Sequence, residues 1–122
     1  MDKGQAIQAF WESFGIPAYD DGRVPKNATM PYITYDVSID SLGTVLQMSA
    51  SLWYHSLTWE AVTAKADEIS EHIQRMSPPA MEIDGGRIYI TRGSPFAQRL
   101  TDPDQTIRHM LILINVEYFT AT

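Results

Sequence analysis

The chain has 122 residues, 44% of them hydrophobic and 20% charged, the proportions of one ordinary globular domain rather than of a disordered chain. Its formal net charge of -6 argues against sequence-specific binding of nucleic acid, because an acidic surface of this size repels phosphate. The absence of cysteine excludes disulfides, thiolate chemistry and Cys-type zinc sites.

The first residues, Met1-Asp2-Lys3-Gly4-Gln5, are polar and unlike the apolar core of a signal peptide. Asp2 is placed to cap a helix over about 3–14, in which Ala6, Ile7, Phe10, Trp11 and Phe14 recur at helical spacing. Gly15 ends that helix and Pro17 prevents its resumption. Residues 17–31 hold three prolines, Asp20-Asp21-Gly22 and Asn27, and read as a long surface loop suited to binding. From 32 to 39 the pattern alternates, with Ile33, Tyr35, Val37 and Ile39 on one face, which predicts a half-buried strand. A turn at Asp40-Ser41-Leu42-Gly43 leads into a second strand over 44–55, the two forming a hairpin. Leu46, Met48, Ala50, Leu52 and Tyr54 of that strand point inward, Trp53 outward.

Thr58 is the expected N-cap of a second helix ending near Met76, with Trp59, Val62, Ala66, Ile69, Ile73 and Met76 on its buried face. Ser77-Pro78-Pro79 stops it. A short hairpin over 81–84 and 87–91 turns at Gly85-Gly86, whose freedom at positive φ suits a tight turn. Residues 92–105 read as a second long loop, and 106–120 as a last strand. Its apolar run at Met110-Leu111-Ile112-Leu113-Ile114 predicts cover on both faces. That run is far shorter than the ~20 residues needed to span a bilayer, so a soluble chain with no membrane partner is expected.

The order α-β-β-α-β-β-β predicts an α+β fold: an antiparallel or mixed sheet of about five strands with two helices packed on it, one domain over 1–122. The strands over 44–55 and 106–120 are about twice the usual length, and a small monomer has difficulty covering them. Extension of the sheet into a neighbouring subunit is the expected remedy.

Nothing in the chain marks a reactive centre. Glu68 and His72 have an i, i+4 spacing able to hold a metal, but no further ligand accompanies them, and a solvated helix face is the expectation. His109 is expected to be packed and hydrogen-bonded within the last strand, and His55 to lie at the rim. Gly93-Ser94-Pro95 lacks the second glycine of a nucleophile elbow. Asp20-Asp21 and Asp102-Pro103-Asp104 do not meet the calcium-loop pattern and read as solvated loop acids. The chain is therefore expected to bind rather than to catalyse, without cofactor or metal. Arg87, Arg92, Arg99 and Arg108 gather positive charge in the second half, and Asp and Glu dominate the first, a polarity able to steer one subunit's basic edge against the next one's acidic edge. Tyr19, Arg23, Trp53, Arg92, Pro95, Phe96, Arg99 and Leu100 are the candidate interface residues.

The segment from Phe10-Trp11-Glu12-Ser13-Phe14-Gly15-Ile16-Pro17-Ala18-Tyr19, with Met30-Pro31-Tyr32-Ile33-Thr34-Tyr35, resembles the tail terminator (tail completion) proteins of long-tailed bacteriophages. So do Leu52-Trp53-Tyr54-His55-Ser56, Trp59 leading into Lys65-Ala66-Asp67-Glu68-Ile69, and the closing Ile114-Asn115-Val116-Glu117-Tyr118, so that the likeness covers nearly the whole chain. The resemblance implies a sheet flanked by helices and a homohexameric ring at the tail–neck junction of the virion, assembled in the host cytoplasm. Such a ring caps the tail tube, ends its polymerisation and presents a surface to the head connector. Its partners are copies of itself, the tail tube protein and the neck proteins. The rivals are another neck component (a head-closure or adaptor protein), a small ligand-binding module with a deep pocket under the helices, and a small hydrolase or metal-dependent enzyme using His72 or the loop acids.

Overall fold

The computed structural model describes residues 1–40, 44–76 and 80–120. The first helix, α1 (Lys3–Glu12), starts at Asp2, whose carboxylate accepts the Gln5 amide N–H at 2.7 Å while the Gln5 side chain accepts the Asp2 N–H at 2.9 Å. Two of the helix's orphan donors are satisfied by this capping box. Gly15 follows the helix with φ +82°, a left-handed conformation that glycine adopts without steric cost.

The expected loop over 17–31 contains a short strand, β1 (Ala18–Asp20), which pairs in parallel with β2 (Tyr32–Tyr35). Three residues between a proline and a Gly-rich turn carry too little pattern to announce a strand; the neighbouring strand supplies the hydrogen bonds that make it one. β2 stops at Tyr35 rather than running on, and Ile39 is exposed instead of inward. β3 (Val45–His55) pairs antiparallel with β2 and places Met48, Ala50 and Leu52 in the core, as its alternation predicts.

The second helix, α2 (Glu60–Arg75), begins one residue later than expected. Trp59 takes the cap position without a side-chain hydrogen bond, and Thr58 is not the cap. Val62, Ala66, Ile69 and Ile73 are buried along its inner face. The expected stop at Ser77-Pro78-Pro79 and most of the turn before β3 lie outside the described residues.

β4 (Ala80–Ile83) and β5 (Gly86–Leu100) form the expected hairpin, but Gly86 already pairs with Ile83, so the turn residues are Asp84 and Gly85. Only Gly85, at φ +78°, is left-handed in that pair. Gly86 is needed for a different reason: a Cβ there would lie 1.9 Å from the Phe119 carbonyl oxygen.

The largest correction concerns residues 92–105. Most of this supposed loop is the second half of β5, which continues to Leu100 along β6 (Ile107–Thr120). The Gly-Ser-Pro punctuation marks a bulge. From Arg92 to Ala97 there are five steps on β5, but their partners Ile114 and Ile112 are two steps apart on β6. A bulge absorbs residues that cannot join the ladder, Pro95 among them, and pairing then resumes.

The six strands form one mixed sheet in the order β1-β2-β3-β6-β5-β4. Both helices pack on the same face, with Trp11, Phe10, Ile69 and Ile73 against Ile33, Leu52, Ile90, Ile112, Ile114, Val116 and Tyr118. Each such apolar side chain contributes about 1.5–3 kcal/mol on burial. Because neither described helix lies on the other face, β6 alternates buried and half-buried residues instead of being covered on both sides; Leu111 and Leu113 belong to the open face. The long strands β3 and β6 are central and the short strands β1 and β4 lie at the edges, whereas β5 is covered by β4 only from Gly86 to Tyr89. No helix among the described residues is long and apolar enough to cross a membrane.

Candidate functional site

The register of the sheet sets out the site. Ala18, Ile33, Leu52, Met110 and Arg99 form one cross-strand row, and Asp20, Tyr35, Ala50, Ile112 and Ala97 form another two residues along. β1 and the half of β5 beyond the bulge are therefore the two opposite edges of the same end of the sheet. β4 covers β5 only from Gly86 to Tyr89, and beyond Tyr89 no described strand pairs with the outer edge of β5.

That outer edge carries two arginines, with Glu60 and Asp67 of α2 lining the hollow beside Arg99. Met110 and Ile114 point to the helix side, so their partners Arg99 and Arg92 do too. On an uninterrupted strand, residues seven apart would point to opposite faces. The bulge adds an odd number of residues and brings both guanidinium groups to one side. Both are exposed. Arg92 donates to the Ser70 hydroxyl at 3.2 Å and, with the Gln74 amide turned to present its oxygen, to that oxygen at 2.8 Å. Arg99 lies over the Trp59 ring, 4.9 Å from its centroid, and Arg108 approaches the same ring at 5.4 Å. Cation–π attraction holds both cations beside an aromatic surface. Among the described residues, no carboxylate lies within salt-bridge distance of Arg92, Arg99 or Arg108; Arg87 is paired with Glu82 at 3.0 Å.

Beside Arg92 runs a groove of roughly 570 Å³, lined by Ile73, Met76, Ile90 and Phe96 with Arg92 and Gly93. It lies at the margin of the sheet, between the end of α2 and β5.

Among the described residues, the opposite edge carries three carboxylates against one cation, Arg23, in the turn after β1. Glu12, Asp20 and Asp21 are exposed there. Tyr35, on the adjacent strand, has its phenol pKa raised above the ordinary value by burial first and then by the carboxylates of Asp20 and Glu12. The outward carbonyls of β1 are already taken: Ala18 accepts from the Gln8 amide at 3.0 Å and Asp20 from the Arg23 N–H at 2.9 Å. The carbonyls of this edge are not open to an added strand; Asp20 and Asp21 remain exposed, and Glu12 accepts from the Gln8 amide.

The eight candidate residues thus separate into three places. Arg92, Pro95, Phe96, Arg99 and Leu100 share the β5 edge. Tyr19, on β1 and edge-on to Tyr32, and Arg23, in the following turn, mark the β1 edge. Trp53 stands between them on the open face, its indole N–H donating to Thr34 at 2.9 Å. The residues that sequence reasoning missed are Trp59, taken for core, and Asp20 and Asp21, taken for ordinary loop acids. Trp59 sits in a periodic apolar pattern, and only the path of β5 over the start of α2 shows it to be a platform for cations.

The histidines differ from one another. His55 meets the Thr106 hydroxyl at 3.1 Å at the rim. His72 is exposed but touches the Phe14 ring edge-on at 5.2 Å, and Glu68 is engaged by Lys65 at 3.1 Å. His109 is packed against Trp53, but its buried Nε2 has no hydrogen-bond partner, contrary to expectation. Asp102 and Asp104 build the turn before β6: Asp102 accepts from the Asp104 N–H, and Asp104 accepts from the Thr106 N–H and hydroxyl. Those bonds from Thr106, the hydroxyl's first, hold the Asp104 carboxyl below its usual pKa. Among the described residues no three His, Asp or Glu side chains gather into a metal-binding group.

Comparison of the chain with protein-family models and with curated proteins finds no match.

Proposed function

We propose that this chain is a structural subunit of a phage tail, a tail terminator whose copies form a ring on the last ring of the tail tube. The observation that carries the reading is the pair of unlike edges on one end of the sheet, with arginines along β5 and carboxylates along β1. Heterologous contacts between two different complementary surfaces generate rings where the rotation between copies closes and open filaments where it does not, whereas a single self-complementary patch generates dimers. The resemblance in sequence to tail terminators supports the choice among ring-forming proteins.

Termination in this reading is a competition of surfaces. One face of the ring imitates the next tube ring and binds the tube end; the other face does not, so growth stops and the neck has a surface to join. The open face of the sheet, with Trp53, His109, Leu111 and Leu113 half-exposed, is available for the tube or neck.

The test is the mass of the purified protein in solution, alone and with tail tubes, with electron microscopy of the mixture. A six-fold ring at one tube end is the expected result. A protein that stays monomeric and ignores tubes overturns the reading, and binding to the portal complex instead would assign it to the neck.

A further inference from the structure

Two strand edges at the same level of one sheet pose a question that neither answers alone. The β5 edge from Ile90 to Leu100 has no strand beside it among the described residues, and it carries two exposed guanidinium groups on its helix side. An open strand edge is an association surface that a stable protein must cover or blunt. Arg92 and Arg99 do not blunt it against every partner. They repel a second copy of the same edge, so a two-fold β5–β5 contact is disfavoured, and they select a partner that brings carboxylates.

The chain itself carries that partner at its other edge. Asp20 and Arg99 both lie on the helix side, at opposite ends of cross-strand rows only two residues apart. A copy moved sideways by one sheet width, without change of level, therefore brings its Asp20 beside the first copy's Arg99. Asp21 and Glu12 add carboxylates to the same edge. Because Gln8 and Arg23 already occupy the outward carbonyls of β1, the contact is made by side chains and is not a continuation of the hydrogen-bond ladder.

We infer that subunits join head to tail, with the β5 edge of one copy, at Arg92 and Arg99, against the β1 edge of the next, at Glu12, Asp20 and Asp21. This rests on the ring-forming reading above and specifies which surfaces close the ring. The Ile73–Met76–Phe96 groove lies within the contact and contributes the apolar part that surface charges lack. The charged part weakens as salt screens it.

The experiment uses two variants of the whole chain, R92E/R99E and D20K/D21K, each alone and in equimolar mixture, in sedimentation velocity without tail tubes and in electron microscopy with them. All four positions are exposed, and circular dichroism checks that each variant folds. Each variant alone sets like charges against each other, and its self-association is expected to fall by about a hundredfold or more. The mixture restores opposite charges at every junction and is expected to assemble as the unaltered chain does. A variant that assembles normally alone, or a mixture that stays monomeric, overturns the edge pairing while rings of the unaltered chain would leave the ring reading standing. An unaltered chain that is monomeric both alone and with tubes overturns the two together.

Discussion

The indole of Trp53 lies flat against the imidazole of His109, with ring centroids 3.7 Å apart and planes inclined by 18°. The two residues face each other across the β3–β6 pair on the open side of the sheet. Burial lowers the His109 pKa below its usual 6.5, against a smaller opposing effect of Asp102. The folded state therefore favours neutral imidazole. Its contribution to stability is complete above pH 6.5 and is lost as pH falls below that value, where the unfolded chain takes the proton first. His109→Phe keeps an aromatic partner for Trp53 and removes the titration. Unfolding measured from pH 7.5 to 5 is expected to show a shallower acid limb in this variant; parallel curves would exclude His109 as the cause.

Tyr118 is fully buried, donates its hydroxyl to the Ser38 carbonyl at 2.7 Å, and has its pKa raised to about 12 by burial. A raised phenol pKa means that stability is intact below the unfolded value near 10 and falls as pH rises through the folded one. Between those values the loss is at most about 1.4 kcal/mol per pH unit. Tyr118→Phe is expected to cost about 1 kcal/mol at pH 7 through the lost hydrogen bond. In alkaline unfolding it should be flatter than the unaltered chain from pH 10 to 12, and an equal slope would refute the assignment.

The neighbouring glycines Gly85 and Gly86 predict losses of different size for the same substitution. Gly85→Ala meets open space and costs only the strain of a left-handed alanine, about 1–2 kcal/mol. Gly86→Ala drives a methyl group into the Phe119 carbonyl, which is backbone and yields little; a loss of about 3 kcal/mol or more is expected. Chemical denaturation of the two variants ranks them directly, and equal midpoints would show that the β5–β6 approach is looser than described.

The cap of α1 gives the mildest variant. Asp2→Ala removes the acceptor of the Gln5 N–H and is expected to lower stability by about 1 kcal/mol, whereas Asp2→Asn, also a good cap, should lower it far less. Thermal unfolding that places Asn and Ala at the same value would deny the capping box an energetic role.

Much of this protein was legible along the chain because its signals are local. Both helices, the Asp2 cap and the inward residues of β3 follow from side-chain period and from the conformational freedom of single residues, and the structure has them, although α1 ends at Glu12 with Ser13 as its cap, ahead of the expected stop at Gly15. The late cluster of arginines was visible too, but the carboxylates are spread evenly along the chain, 7 in residues 1–61 and 8 in residues 62–122, so no count placed them at one edge. The loop at 92–105 failed for a definite reason. Glycine, serine and proline at 93–95 interrupt alternation, and interruption reads equally as the end of a strand or as a bulge within one.

Sequence by itself therefore determined the fold class, the two apolar helix faces and the residue types that carry charge. Tertiary pairing decided where those charges stand. β6 offered β5 a ladder on both sides of the bulge, the odd number of extra residues turned Arg99 to the same face as Arg92, and the order of six strands set them opposite Asp20. No local pattern encodes which strand lies beside which, because that choice comes from burying one shared core.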